Sequence, residues 1–356
     1  MSSEIIFFAG FTVFVILVMM LDLGAFSRQK SHIVSFKEAA SWSAVWVALA
    51  LGFYVFLRYY GHWVHDISDP SHLKQVHDQY YRNLLLPADF NAALVKFQNN
   101  MALEYLTGYL VEYSLSVDNI FVFILIFNSF GVREIYYKKV LVWGILGSII
   151  LRFIFIFVGS ALIQEFSWVL YIFGAFLVYT GINILISKDK EEGIDVQKHP
   201  AVRLTSRYFN VFERYVVDNF FIRRKHNNKL YVTPLFVVMI VIAFTDVIFA
   251  VDSIPAIFSI TKDPYIVFFS NVFAIMGLRS MFFFLVNIID MFSYLKYGLG
   301  VLLTFIGVKM LLEHQLAELG FNNMYSLLVI VGILGISIAV SLLFPPKEEA
   351  AVEVKK

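Results

Sequence analysis

The sequence has no cysteine, and only 15% of its 356 residues are charged. Without cysteine the chain forms no disulfide, thiolate metal site or iron–sulfur cluster. A soluble domain carries about 25% charged residues, so the low charge argues against a soluble enzyme with one buried core. The net charge of +1 lacks the basic surplus that nucleic-acid binding requires. Hydrophobic residues are abundant instead, at 59% of the chain, and 38 of them are phenylalanine.

Nine apolar runs are long enough to cross a bilayer, since about 20 helical residues span the hydrocarbon core. They cover residues 4–26, 38–60, 99–129, 138–162, 165–187, 232–260, 266–287, 295–313 and 325–345. Helices are expected because backbone groups in lipid must form hydrogen bonds within their own segment. The sequence therefore predicts an all-α polytopic membrane protein with the lipid bilayer as its main partner.

Basic residues predict the orientation, because short cytoplasmic loops carry an excess of Lys and Arg. With the N-terminus outside, 20 of the 28 Lys and Arg residues fall in inner segments and only four in outer loops. The remaining four lie within spans. This distribution predicts a multi-pass protein with its N-terminus outside and its C-terminus inside.

Comparing the chain with itself reveals a repeat of three spans. In each copy an acid is followed six residues later by Asp, an arginine comes one span later, and two glycines seven residues apart come one span further. The matching residues are Glu112 and Asp246, Asp118 and Asp252, Arg152 and Arg279, and the pairs Gly174/Gly181 and Gly300/Gly307. Because three is odd, the second copy would enter the membrane from the opposite side. Such inverted repeats are typical of secondary transporters, whose sites lie near the midplane.

The repeat and two long polar segments divide the chain into six parts. These are 1–60 (two N-terminal transmembrane helices), 61–98 (an extracytoplasmic loop), 99–187 (the first three-helix repeat), 188–231 (a cytoplasmic loop), 232–313 (the second, inverted three-helix repeat) and 314–356 (the final transmembrane helix and cytoplasmic tail). The outer loop holds four of the eight histidines. A solvated loop is favoured over a weak external metal site, because the spacing of its His and Asp residues matches no rigid site.

Two spans carry acids near their middle, and the free-energy cost of these charges in the membrane must be compensated. The acids are Glu112, Asp118, Asp246 and Asp252. Each costs about 2.5–3.5 kcal/mol at a helix centre. Structural pairing with the two buried arginines covers only half of them. If all six groups are ionised, their net charge is −2, which one divalent cation would neutralise. Protonation could serve instead, and a transport site is favoured over purely structural pairing.

Helix geometry adds a condition on such a site. Residues six apart lie about 240° apart round a helix and about 9 Å apart along it, so both acids of a span face one ion only if the helix breaks. Pro255 offers a break in one copy, and Ser114, Ser116 and Asn119 could bond freed backbone groups in the other. The ligands available are all oxygen, which favours Mn²⁺, Mg²⁺ or Ca²⁺ over copper or zinc.

Two segments carry a resemblance to a known family. They are Glu112-Tyr-Ser-Leu-Ser-Val-Asp118-Asn119 and Phe244-Thr-Asp246-Val-Ile-Phe-Ala-Val-Asp252-Ser253-Ile-Pro255. With Leu21-Asp22-Leu23-Gly24 of the first span, they resemble the motifs of the TerC family over about residues 5–345. Within that family the sequence looks like the alkaline-inducible Alx-type members.

The resemblance implies a protein of the bacterial inner membrane with metal-site residues in both motifs. The residues carried over are Glu112, Asp118, Asn119, Asp246, Asp252 and Ser253, with Asp22 as a candidate. From its position near the inner end of the first span, Asp22 is either a ligand at the mouth of the site or an interfacial acid. The family is named for tellurite resistance, and several members are associated with manganese export and with supplying metal to secreted enzymes.

The leading hypothesis is a transporter that exports a divalent metal cation, with Mn²⁺ the first candidate and protons a candidate coupling ion. The alternative is a tellurite-resistance scaffold that docks stress-response proteins through 188–231 and moves no ion. A membrane enzyme is not expected, because no span carries His-Glu-x-x-His or an equivalent base and nucleophile. A channel is disfavoured, because four acids with two arginines indicate occluded binding. No prosthetic group is expected, and the oligomeric state stays open.

Overall fold

The fold is known from a computed structural model that describes most of the chain. The described residues are 3–22, 34–166, 168–186, 202, 207, 209–212, 216, 219–223, 230–286, 295–319, 321 and 323–343. For a few positions inside helices, Asp22, Asp118 and Asp252 among them, only the place along the helix is described. Everything below concerns these segments.

Helices make up nearly all of the described chain. In order they are α1 (Ser3–Asp22), α2 (Phe36–Tyr60), α3 (Pro70–Tyr80), α4 (Phe90–Ser129), α5 (Glu134–Glu165), α6 (Val169–Ile186), α7 (Pro234–Phe258), α8 (Pro264–Leu285), α9 (Leu295–Leu311), α10 (Glu313–Glu318) and α11 (Asn323–Leu343). A 3₁₀ turn, Gly61–Trp63, follows α2. Two short antiparallel strands, β1 (Phe221–Arg223) and β2 (Leu230–Val232), lie at the end of the segment 188–231 predicted as the cytoplasmic loop, and β2 extends one residue beyond it.

Six helices of the described segments are long and apolar enough to cross a membrane: α2 with its 3₁₀ turn, α5, α6, α7, α8 and α11. α1 and α9 contain shorter apolar stretches. α5 exposes Ile150, Ile154 and Val158, as expected of a surface that faces lipid rather than water. The prediction of an all-α polytopic membrane protein is confirmed, apart from the small sheet. The number of nine spans and the inversion of the repeat stay predictions.

Local sequence signals explain where the helices begin. Ser35 caps α2 by accepting a hydrogen bond from the backbone N–H of Glu38, and Asp89 caps α4 in the same way. Asp69 and Asp263 cap α3 and α8, and each is followed by proline at the first helical position. Proline is tolerated there because the N–H that it lacks would have no partner within the helix.

α8 lies at the centre of the bundle, packed against α4, α2 and α5. Its most apolar 18-residue stretch is 94% buried, so it faces protein on all sides. α6 and α9 pack closely because their glycines meet. A Cβ on Gly181 would lie 2.6 Å from the carbonyl oxygen of Gly300, and one on Gly307 would lie 2.7 Å from that of Gly174. The two glycine pairs singled out in the sequence thus form one contact between helices.

The expected breaks in the two acidic helices are wrong. α4 is continuous from Phe90 to Ser129, and α7 is continuous from Pro234 to Phe258. Pro255 lies only three residues before the end of α7. Proline lacks a backbone N–H, so α7 loses one hydrogen-bond donor in its last turn and ends within that turn. Ser114 donates to the carbonyl of Leu110, one turn earlier, and thereby bonds within an intact helix.

The outer segment 61–98 is folded, and its prediction as a solvated loop is wrong. It contains the 3₁₀ turn, α3 and the first nine residues of α4, which begins at Phe90 rather than near 99. His65 is buried, and its Nε2 lies 2.6 Å from Oδ2 of Asp263 at the start of α8. This contact and the burial of Leu73 and Val76 attach the segment to the bundle.

Candidate site around Arg152

The site is a buried polar cluster in the middle of the bundle. Arg152 of α5 lies at its centre with 1% of its surface exposed. Glu112 comes from α4, Asp246 and Ser253 come from α7, and Asn271 comes from α8. Four helices therefore each contribute to one cluster, although these residues are up to 159 positions apart in sequence.

Arg152 binds two carboxylates at once. Its Nε and Nη2 donate to the two oxygens of Asp246 at 3.0 and 3.1 Å, a bidentate arrangement. Its Nη1 donates to Oε1 of Glu112 and, at 2.6 Å, to Oδ1 of Asn271. The Ser253 hydroxyl lies 3.4 Å from the same nitrogen. Every nitrogen of the guanidinium is thus engaged, as a charge in a dry interior requires.

Three oxygens near this cluster are buried and have no hydrogen-bond partner in the described part of the chain. They are Oε2 of Glu112, Oγ of Ser116 and Oγ1 of Thr245. Glu112 and Ser116 are four residues apart, so they lie on the same face of α4. Thr245 directly precedes Asp246 on α7. Buried polar atoms normally have a partner in protein, water or an ion, so these oxygens are available to a ligand.

Of the predicted metal-site residues, the structure brings Glu112, Asp246 and Ser253 together on Arg152. Asn119 is buried on α4, 5% exposed. Asp118 and Asp252 lie on α4 and α7, six residues beyond Glu112 and Asp246, and their side chains are not among those described. The same holds for Asp22, the last residue of α1.

Arg152 and Arg279 are the two arginines predicted to balance the charge of the acids. Arg152 was expected to balance acids, and it binds one from each repeat. Arg279 is buried on α8, 5% exposed. Among the described side chains, no three His, Asp or Glu residues lie close enough together to hold a metal ion. The role of Asp118 and Asp252 in metal binding stays a prediction.

Asn271 was missed by the sequence reasoning. It accepts from Arg152 and donates from Nδ2 to the carbonyl of Val267, one turn earlier in α8. A signal was present, because Ser270-Asn271 is a polar pair inside an otherwise apolar run. It was overlooked because an uncharged amide costs less to bury than a carboxylate and has no counterpart in the other repeat.

A family comparison covers most of this bundle. The model of the integral membrane protein TerC family matches residues 97–349, from α4 to beyond α11. The chain belongs to the TerC family. The match includes both acidic motifs and Arg152.

Similar proteins extend the comparison toward the N-terminus. A protein of Escherichia coli K12 named membrane-bound redox modulator Alx is 43% identical over 303 residues, which are 85% of this chain and 84% of that protein. An uncharacterized membrane protein of Myxococcus xanthus is 41% identical over 338 residues, 94% of this chain and 91% of that protein. No solved structure matches the chain.

Proposed function

We propose that this TerC-family protein is a transporter that exports a divalent metal cation, Mn²⁺ first among the candidates, through a carboxylate site in the middle of the bundle. The observation that carries the proposal is Oε2 of Glu112. It is a buried carboxylate oxygen with no hydrogen bond of normal geometry among the described residues. The other oxygen of the same group binds Arg152, and the Ser253 hydroxyl also interacts with this carboxyl group. Leaving Oε2 without a partner costs free energy, and a bound cation would compensate.

The other unpartnered oxygens of α4 and α7 also favour a hard cation. Ser116 and Thr245 add hydroxyl oxygens that are buried and without partners in the described segments. The chain has no cysteine, so no thiolate can compete for the metal. Oxygen-only ligand sets suit Mn²⁺, Mg²⁺ and Ca²⁺ rather than copper or zinc.

Charge supports binding of one divalent ion. Within the described cluster, Arg152 neutralises one of the charges of Glu112 and Asp246. Asp118 and Asp252 lie one and two-thirds turns further along α4 and α7. With Arg279 included, four acids and two arginines leave a net charge of −2. A bound divalent cation would restore neutrality in a region where isolated charges are costly.

The inverted repeat is part of the proposal. Arg152 of the first copy binds Glu112 of its own copy and Asp246 of the second. The glycines of α6 meet those of α9 in antiparallel order, Gly174 with Gly307 and Gly181 with Gly300. A two-fold axis between the copies would produce this reciprocal pairing. We place the protein in a bacterial inner membrane with its N-terminus outside, and protons are the proposed coupling ion.

The scaffold hypothesis has one observation in its favour. Glu112 and Asp246 are both bound to Arg152, which is what a purely structural ion-pair network would show. It leaves Oε2 of Glu112 unexplained. The name of the Escherichia coli relative refers to redox modulation, but this chain has no thiol of its own for such chemistry.

The test is metal flux through the purified protein in lipid vesicles. We expect the wild-type chain to move Mn²⁺ down an imposed gradient, with copper and zinc moved poorly. Glu112→Gln keeps the shape of the side chain and removes its charge, and it should abolish the flux. Glu165→Gln, at the exposed end of α5, is the matched control and should transport normally.

Two outcomes would contradict the proposal. The first is a wild-type protein that is folded in vesicles and moves none of these metals, as a scaffold would. The second is a Glu112→Gln variant that transports like wild type, which would reduce the acid to a partner of Arg152. Size-exclusion profiles of both variants identify any that have lost their fold.

A further inference from the structure

A second buried polar cluster lies at the start of α8. Asp263, which caps this helix, is fully buried, and its Oδ2 lies 2.6 Å from Nε2 of His65. The hydroxyl of Tyr81 donates to the same oxygen at 2.8 Å. Burial, and then the charge of Asp263, raise the pKa of Tyr81 well above its usual range, so Tyr81 stays a donor. The carboxyl group of Asp263 thus has hydrogen-bond partners in both His65 and Tyr81.

Glu104, in the same region, differs from Asp263 in how its carboxyl group is hydrogen-bonded. It lies on α4, eight residues before Glu112, and is 6% exposed. Its Oε1 accepts hydrogen bonds from Nδ2 of Asn100 at 2.7 Å and from Nδ2 of Asn323 at 2.9 Å. Its Oε2 is buried without a hydrogen-bond partner among the described residues. Both amide donors are therefore on one oxygen, and the Thr261 hydroxyl is a further hydrogen-bonding neighbour of the carboxyl group.

The titratable groups near Glu104 come from three other elements. Asp263 and Tyr81 approach from α8 and the outer segment, and Lys309 of α9 adds a positive charge. The Lys309 amine donates to the carbonyl of Ser259 at 3.2 Å. From the 3₁₀ turn, His62 bonds Gln98 at 2.7 Å, earlier on α4.

This arrangement fits a carboxyl group that binds and releases a proton. A permanently ionised carboxylate needs partners on both oxygens, because a buried charge without them is costly. In the protonated acid, the oxygen with two amide donors is the carbonyl oxygen, and the other carries the hydrogen. Eight residues of helix separate Glu104 from Glu112, which is about 12 Å. The two acids are thus distinct groups on one helix.

We propose that Glu104 is the proton-binding residue that couples metal transport to proton movement. This inference rests on the proposed transport function and deepens it. The carboxylate takes a proton from the outer solution, becomes the neutral acid, and returns the proton to the inner solution as the metal moves outward. No bond other than O–H forms or breaks, and the metal and the proton are the only species moved.

The test separates coupled transport from exchange in vesicles that contain the purified protein. Exchange of radioactive Mn²⁺ for unlabelled Mn²⁺ at equal pH needs no net proton movement. Transport driven by a pH gradient needs it, and a pH-sensitive dye inside the vesicles reports the protons. Glu104→Gln is nearly isosteric and resembles the protonated acid. We expect it to keep exchange and to lose both gradient-driven transport and the proton signal.

A control variant and a second variant near Glu104 complete the experiment. Glu165→Gln should keep both modes. Asn323→Asp leaves Glu104 in place and adds a carboxylate beside it, which should raise the pH of half-maximal gradient-driven transport by about 1 unit. This variant tests the inference even if Glu104→Gln does not fold.

Three results would overturn the inference. The first is a Glu104→Gln protein that keeps gradient-driven transport, and the second is a folded Glu104→Gln protein that loses both exchange and gradient-driven transport. The third is an unchanged pH profile in Asn323→Asp. Absence of Mn²⁺ exchange in wild-type vesicles would instead refute the proposed function itself. Exchange is therefore measured first.

Discussion

Arg152 binds Asp246 through two parallel hydrogen bonds, from Nε at 3.0 Å and from Nη2 at 3.1 Å. The pair joins α5 to α7, and both residues are buried. The third nitrogen of the same guanidinium binds Glu112 of α4. One positive charge thus binds two negative ones in the middle of the bundle. Removing the charge of Asp246 should therefore affect stability differently from removing that of Glu112.

Asp246→Asn should destabilise the protein strongly. The amide keeps the shape, but it has one acceptor oxygen and an NH₂ donor in place of two acceptor oxygens, so Arg152 loses its bidentate partner inside a dry region. Breaking a buried pair costs about 3–5 kcal/mol. We expect a lower thermal unfolding midpoint in detergent, with a smaller fall for Glu112→Gln, which leaves the bidentate pair intact. Asp78→Asn, at a side chain 59% exposed, is the control, and equal midpoints for all three would show that the pair contributes little.

Gly181→Ala should destabilise the contact between α6 and α9. The added Cβ would lie 2.6 Å from the carbonyl oxygen of Gly300 and against the side chain of Thr304. Overpacking of this kind costs about 1–3 kcal/mol. Gly332→Ala on α11 has nothing within 4 Å of the new atom and serves as the control. A Gly181→Ala protein as stable as the control would mean that the helices are not in close contact.

Most of the fold was predictable from the sequence, because in lipid the length of an apolar run nearly fixes the helix. The bounds of α7 and α8 agree with the predicted spans to within two residues. The outer segment was not predictable in this way. His65 and Asp263 are 198 residues apart, and only their contact shows that the segment is folded.

The site was predictable in composition and not in pairing. Glu112, Asp246 and Arg152 stood out because charges within spans are rare. Which acid each arginine binds depends on the crossing of α5 and α7, and no sequence periodicity gives that crossing. The predicted helix breaks failed for a related reason, since Pro255 disturbs α7 only within its last turn.

His65→Ala should loosen the outer segment. Its ring is buried against Asp263 and stacks on Tyr80, so its loss leaves a buried carboxylate with one fewer partner. That costs about 1–3 kcal/mol. We expect faster amide hydrogen exchange over α3, measured by mass spectrometry. His72→Ala, on the same segment, is the control. Unchanged exchange in His65→Ala would show that the segment is held by its apolar contacts alone.

Introduced cysteines test the orientation, because the chain contains none of its own. A cysteine at Asp69, which caps α3, should be labelled by an impermeant reagent from the periplasmic side. One at Lys190, outside the described residues, should be labelled only after the membrane is opened. Labelling of both from one side would contradict the predicted number of spans between them and the inverted repeat with it.

The central claim is that one ion binds between the two repeats in the field of acids from both, and manganese binding by variants of Asp118 and Asp252 tests it most directly. Asp118→Asn and Asp252→Asn are nearly isosteric, and each removes one charge at matching positions of the two copies. Titration of Mn²⁺ into the purified proteins should show one site per wild-type chain. It should show none in either single variant, and the double variant should be no worse, because residues that act as a unit are not additive. Asp290→Asn, which the sequence predicts at the inner boundary and which lies outside the described residues, should bind as wild type does. Loss of binding in one single variant with full binding in the other would contradict the claim, because the site would then belong to one repeat alone.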